Sequence, residues 1–150
     1  MKINVVELKL DSTYSIDIPG VQEYVYGVED AAPIFCKIIG GRNVEYVGIL
    51  CLDNTNRIVN YSNVSMGNIE RVNVSIAQIL KVALLSNASK IIVAHNHPSG
   101  VLSITSNDID MTKKIGSLAH YFDIQLMDSL VVNAQDAISI REKVGDTKHE

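Results

Sequence analysis

The chain has 150 residues, room for one domain with a real hydrophobic core. Hydrophobic residues make up 47% and charged residues 20%, an ordinary globular balance, and the net charge of -4 disfavours gripping a nucleic-acid backbone through net charge. No apolar run nears the ~20 residues of a membrane helix, and "MKINVVELKLDS" lacks the apolar stretch and small-residue cleavage site of a signal peptide, so a cytoplasmic protein is expected.

The predicted elements follow in chain order. "INVVELKL" reads as a strand and "YSIDI" as a second, with turn chemistry at Pro19 and Gly20. "EDAAPIFCKIIGG" reads as a helix with Asp30 as N-cap, Pro33 in its first turn and Gly40 at its end. "VEYVGILCL" and "IVNYSNV" flank the turn "DNTNR", which predicts a hairpin over 44–64. "SIAQILKVALLSN" carries apolar residues at 76, 79, 80, 83 and 84, a helical stripe capped by Ser75. "KIIVAH" reads as a short buried strand. "NDIDMTKKIGSLAHYF" reads as a helix with Ile109, Ile115, Leu118, Ala119 and Phe122 on one side. "IQLMDSLVVN" and "AISIRE" read as further strands, and "KVGDTKHE" as a frayed polar tail.

Strands and helices alternate around one core, so the fold class is α/β, a single domain with a mixed β-sheet flanked by helices. The expected division is an N-terminal strand extension over 1–29, the domain over 30–142 and a tail over 143–150. Cys36 and Cys51 lie in apolar runs without C-x-x-C spacing and are expected as buried, reduced thiols. The chain has no Gly-rich phosphate loop, so no nucleotide cofactor is expected.

Two of the four histidines stand in "VAHNHPSG". Residues i and i+2 of a strand point to the same face, so His95 and His97 aim their rings one way, about 6–7 Å apart at the backbone. Pro98 cannot continue the ladder, which puts both histidines at the strand's open end. Asp108 is a candidate third ligand, at the expected start of a helix. Two histidines, one carboxylate and one water would make an open tetrahedral zinc site of the catalytic kind. Other readings fit the same residues. The histidines also suit a surface pair, and Asp108 suits a capping box with Thr105. Glu45, at the start of an apolar strand and on the face of Val47 and Ile49, is either a solvent-facing charge or a carboxylate that takes a proton from the water.

The constellation resembles the JAMM (JAB/MPN+) metalloprotease motif, an upstream Glu followed by H-x-H-x7-S-x2-D. The matching residues are Glu45, His95, His97, Thr105 where the family has Ser, and Asp108. "IIVAHNHPSG" and "VGILCLDNTNRIV" look like the bacterial RadC branch, and the similarity runs from about 30 to 140. The resemblance implies a cytidine-deaminase-like, JAB/MPN fold. It implies Zn2+ held by His95, His97 and Asp108, Glu45 as general acid/base, and Thr105 stabilising an oxyanion, with Ser106 as the fallback.

Three departures accompany it. The family's Pro-Arg-Glu run is Ile76, Ala77 and Gln78 here, and its Leu-Asp-His is Met127, Asp128 and Ser129. Longer members carry a preceding helix-hairpin-helix module, for which these 150 residues have no room. The leading expectation is a zinc-dependent peptidase or isopeptidase acting on an unknown peptide or protein substrate. The alternatives are a non-catalytic protein-binding scaffold and a DNA-repair accessory, the latter disfavoured by the acidic balance.

Overall fold

The computed structural model describes residues 1–67 and 76–145. Five strands form one mixed sheet in the order β2-β1-β3-β4-β5. They are β1 (Glu45–Leu52), β2 (Ile58–Gly67), β3 (Lys90–Asn96), β4 (Gln125–Val132) and β5 (Ala137–Ser139). Only the β3–β4 pair is parallel, as the crossover through helix α3 (Ser106–His120) between them demands. The predicted hairpin is present as β1 and β2, with Asn56 in the left-handed region at its turn.

Both faces of the sheet are covered, which is why its inner strands read as unbroken apolar runs. Side chains alternate between two cores. Val47, Ile49 and Cys51 of β1, with Ile91 and Val93 of β3, pack against helix α2 (Ile76–Leu85) and α3. Leu50, Leu52, Ile92 and Ala94 pack on the other side, against helix α1 (Val28–Phe35) and the π-helical turn Cys36–Gly40 that continues it. Ala31, Ile34, Phe35, Ile38 and Ile39 are buried there, a helical stripe of five. Each fully buried Ile of these cores contributes about 1.5–3 kcal/mol over an exposed one.

Several sequence expectations are corrected. "INVVELKL" forms no strand: residues 1–17 are exposed and make no hydrogen bond among the described residues, so neither ladder bonds nor buried apolar area hold the segment in the sheet. "YSIDI" forms none either; Ile18 and Val21 instead pack on the α1-side core. Asp30 is not the N-cap of α1. Gly27 is, and the Asp30 carboxylate reaches back to accept from the Tyr26 amide (2.9 Å). Pro33 therefore falls in the second turn, where it has no N–H to give to Glu29.

Helix α3 buries Ile115 and Ala119 as expected, but not the rest of the expected face. Asp108, Thr112, Ile115, Gly116 and Ala119 are buried, while Leu118 and Phe122 are 41% and 50% exposed. The helix faces the sheet through Asp108 rather than Ile109. "AISIRE" is a strand only over Ala137–Ser139; Ser139 then caps helix α4 (Ile140–Val144), accepting from the Glu142 amide. Cys51 is buried and Cys36 only half-buried, both free. Ser75 and most of the tail lie outside the described residues. No helix among the described residues is long and apolar enough to cross a membrane.

Gly40 ends the π-helical turn with its Cα against the backbone carbonyl of Asn133, and a Cβ there would collide with that carbonyl. Backbone cannot yield as a side-chain tip can. Gly40→Ala is expected to lower the unfolding free energy by about 1–3 kcal/mol, read by urea denaturation.

Candidate metal centre

Register and parity assemble the site. In the antiparallel β1–β3 pair, Val47 stands opposite His95. Two residues back on β1 and two forward on β3 lie Glu45 and His97, past the last paired position and on the same face. That face is the one covered by α2 and α3, so His95 continues the row of Ile91 and Val93. The strand stops at Asn96. Pro98 and Ser99 then form a turn closed by the Gly100 amide donating to His97 O (2.8 Å), with Gly100 at φ +77, where a side chain would be strained. The turn brings Val101 O to 3.1 Å from His97 Nδ1. An Nδ1–H donated there leaves Nε2 bare, the tautomer a metal ligand needs.

The ring nitrogens converge. His95 Nε2 and His97 Nε2 are 3.2 Å apart. Two nitrogens bound at 2.0–2.1 Å to a tetrahedral zinc would stand roughly 3.3–3.4 Å apart. Asp108 reaches the same place from the first turn of α3, with Oδ1 3.1 Å from His95 Nε2 and Oδ2 3.7 Å from His97 Nε2. Glu45, His95 and His97 also bring ligand atoms within 4.8 Å of one another. The two imidazoles thus stand between two carboxylates, Asp108 against the histidines on one side and Glu45 within reach of them on the other, and histidine and carboxylate donors suit zinc. The side chains of His95 and Asp108 are each 10% exposed and that of His97 19%, so the point is sheltered and open on one side.

The capping box is also formed. Thr105 Oγ1 accepts from the Asp108 amide (3.1 Å) while Asp108 Oδ2 accepts from the Thr105 amide (2.9 Å). Asp108 serves the cap with one oxygen and faces His95 with the other. Because the Thr105 hydroxyl accepts in the cap, its own proton remains available to donate. Thr105 borders the cleft, as do Ser99 and Ser103; Ser106, one residue into the helix, does not.

Environment sets the acidity of the two carboxylates in opposite directions. Burial raises the Glu45 pKa, the two histidines pull it down and Asp108 raises it, for a net rise. Burial would also raise Asp108, but the hydrogen bond and charge of His95 and the Thr105 bonds outweigh it and hold the group down to about 2. Asp108 is thus held as a carboxylate, while Glu45 takes a proton more readily, a division suited to one ligand and one proton carrier.

The centre opens into a cleft of about 740 Å³ floored by Val47, Val93 and Ile115. Ile76 and Ser129, two of the positions where the chain departs from the resembled pattern, line this cleft. Asp128 does not; its carboxylate binds Ser139 Oγ (2.7 Å) and the Ser129 amide (2.7 Å), tying β4 to the start of α4.

Sequence reasoning missed three partners: the Val101 carbonyl, Asn96 and Asn133. Asn96 carried a signal, since a polar residue continues the apolar row Ile92–Ala94 at a fully buried position. Asn133 and Val101 carried none.

The family model for the RadC-like JAB domain matches residues 25–145. A UPF0758 protein of Finegoldia magna is 36% identical over 114 residues, covering 76% of this chain and 51% of that protein. UPF0758 proteins of Acidithiobacillus ferrooxidans and Cellvibrio japonicus are 35% and 36% identical, over 67% and 66% of this chain and 45% and 44% of theirs. The chain spans about half the length of these curated relatives. With its family model covering both cores and all four groups of the centre, the chain belongs to the RadC-like JAB domain family.

Proposed function

We propose that this chain is a zinc-dependent hydrolase of amide bonds, with peptides or proteins as its substrate class. The observation that carries the reading is the convergence of His95 Nε2 with His97 Nε2 (3.2 Å) and Asp108 Oδ1 (3.1 Å), with Asp108 Oδ2 3.7 Å from His97 Nε2, beside Glu45 and in an open cleft. His95, His97 and Asp108 would hold the ion. When bound, zinc supplies an acidified water and a Lewis acid for the substrate carbonyl.

This chain's own residues do the rest. Glu45, whose raised pKa suits a group that both takes and gives, accepts the proton of the attacking water. The water oxygen adds to the carbonyl carbon, the C–N bond breaks, and Glu45 passes its proton to the leaving amine. Thr105 donates its hydroxyl proton to the oxyanion as it develops. The apolar floor of Val47, Val93 and Ile115 receives a substrate side chain.

A second reading rests on Ile76 and Ser129. Ser129 lines the cleft where the resembled pattern has an imidazole, and Ile76 lines it at the head of the helix that lacks the pattern's Arg and Glu; a cleft without these groups suits a protein-binding scaffold that holds an ion without turnover.

Elemental analysis of untagged protein is expected to give about one zinc per chain, lost in His97→Ala; no zinc in the unaltered protein overturns the reading. Asp108→Asn is expected to lose the zinc, whereas Glu45→Gln keeps it and loses at least about a hundredfold in peptide hydrolysis. The reverse pattern would make Glu45 the ligand, and zinc without hydrolysis of any peptide in a diverse library would favour the scaffold.

A further inference from the structure

Past the last β1–β3 pair, the chain that carries Glu45 still pairs with β2 on one side but would be left without ladder partners on the side that faces β3. Asn96 supplies them. Its side chain is wholly buried on the face opposite His95 and His97. Oδ1 accepts from the Tyr46 amide (2.7 Å), and Nδ2 donates to the carbonyls of Val44 (3.0 Å) and Arg42 (3.3 Å). One carboxamide therefore binds the backbone on both sides of Glu45. It prolongs the sheet by side chain where Pro98 forbids prolonging it by main chain.

A second asparagine stands at the neighbouring strand end. Asn96 pairs with Val132 in the parallel ladder, so Asn133 lies beside the end of β3. Its Oδ1 closes the turn into β5, accepting from the Gln135 and Asp136 amides. Its Nδ2 donates to Gly100 O (3.0 Å). Gly100 belongs to the turn whose next residue, Val101, offers its carbonyl to His97 Nδ1. Gly40 packs against the Asn133 carbonyl and backs it from behind.

We propose that Asn96 and Asn133 are positioning residues of this centre with separate duties: Asn96 fixes where the Glu45 carboxylate stands, and Asn133 fixes the turn that orients His97. The inference rests on the zinc reading above. Neither residue reaches the ion. Each acts through one of the groups that does the chemistry, and the two act through different groups, which makes their effects separable.

The test is zinc titration by calorimetry on the full chain, with each substitution made alone and in a Glu45→Gln background. Asn133→Asp keeps the oxygen that closes the turn and replaces the donor to Gly100 with a carboxylate oxygen, which repels that carbonyl. It is expected to weaken zinc binding roughly tenfold to a hundredfold, by the same factor in both backgrounds, because it acts through His97. Asn96→Ala is expected to weaken zinc binding roughly tenfold in the native background and to have no effect beyond about threefold when Glu45 is already neutral, because its effect passes through that charge. Asn96→Ser serves if the alanine variant does not fold, and the Tyr46 amide of the unaltered protein is expected to exchange as slowly as those inside β1.

An Asn96 effect of equal size with and without the Glu45 charge overturns its duty, as does a fast-exchanging Tyr46 amide. Native zinc affinity in Asn133→Asp overturns the other. Failure of the unaltered protein to bind zinc is a different result: it removes the proposed function and this inference with it.

Discussion

The pairing of β1 with β3 in the register Val47 opposite His95 is the constraint on which the rest depends. It fixes three things together. It sends Ile91, Val93 and His95 to one face and Ile92, Ala94 and Asn96 to the other. It brings Glu45 abreast of His97, although 52 residues separate them in sequence. It also sets the α3 face: the helix must present Asp108 to the histidines, so Leu118 is left outside. A slip of one residue would exchange the two cores and turn the imidazoles toward α1. The apolar rows on both faces forbid that slip, so the hydrophobic pattern that stabilises the sheet also aligns the polar groups at its end.

Much of this was legible in the sequence because it rests on local rules. Parity alone puts His95 and His97 on one face, and Pro98 alone ends their strand. The spacing Thr105-x-x-Asp108 announces the cap that starts α3, and both of its bonds are formed. What was not legible depends on neighbours distant in the chain. "INVVELKL" has the composition of a strand, but composition alone does not pair a strand, and residues 1–17 stay exposed and unpaired among the described residues. The apolar periodicity of α3 pointed to Ile109 and Leu118, yet contacts of Asp108 outweigh it. Asp30 has the residue type of an N-cap, but the helix starts three residues earlier, at Gly27.

The site is polar in its side chains and also in the means that hold them. His97 is oriented by a carbonyl, Asp108 by an amide and Glu45's segment by a carboxamide. None of these partners is itself charged. Neutral dipoles orient the groups without adding a competing charge beside them, so the field at the centre comes from two carboxylates with divergent acidity. The chemistry and the scaffold are thereby kept apart.

The shared carboxylate of Asp108 has a further consequence. One of its oxygens closes the first turn of α3 while the other faces His95. The order of that turn and occupancy of the centre are then coupled equilibria, and coupling free energies are reciprocal. Whatever ligand draws Asp108 into a fixed pose quiets the helix start, and whatever steadies the helix start tightens the ligand by the same factor. The wall of the cleft lined by Thr105 and Ser103 belongs to this segment. Occupancy of the centre would thus be felt along the cleft as a loss of local motion, without displacement of the sheet.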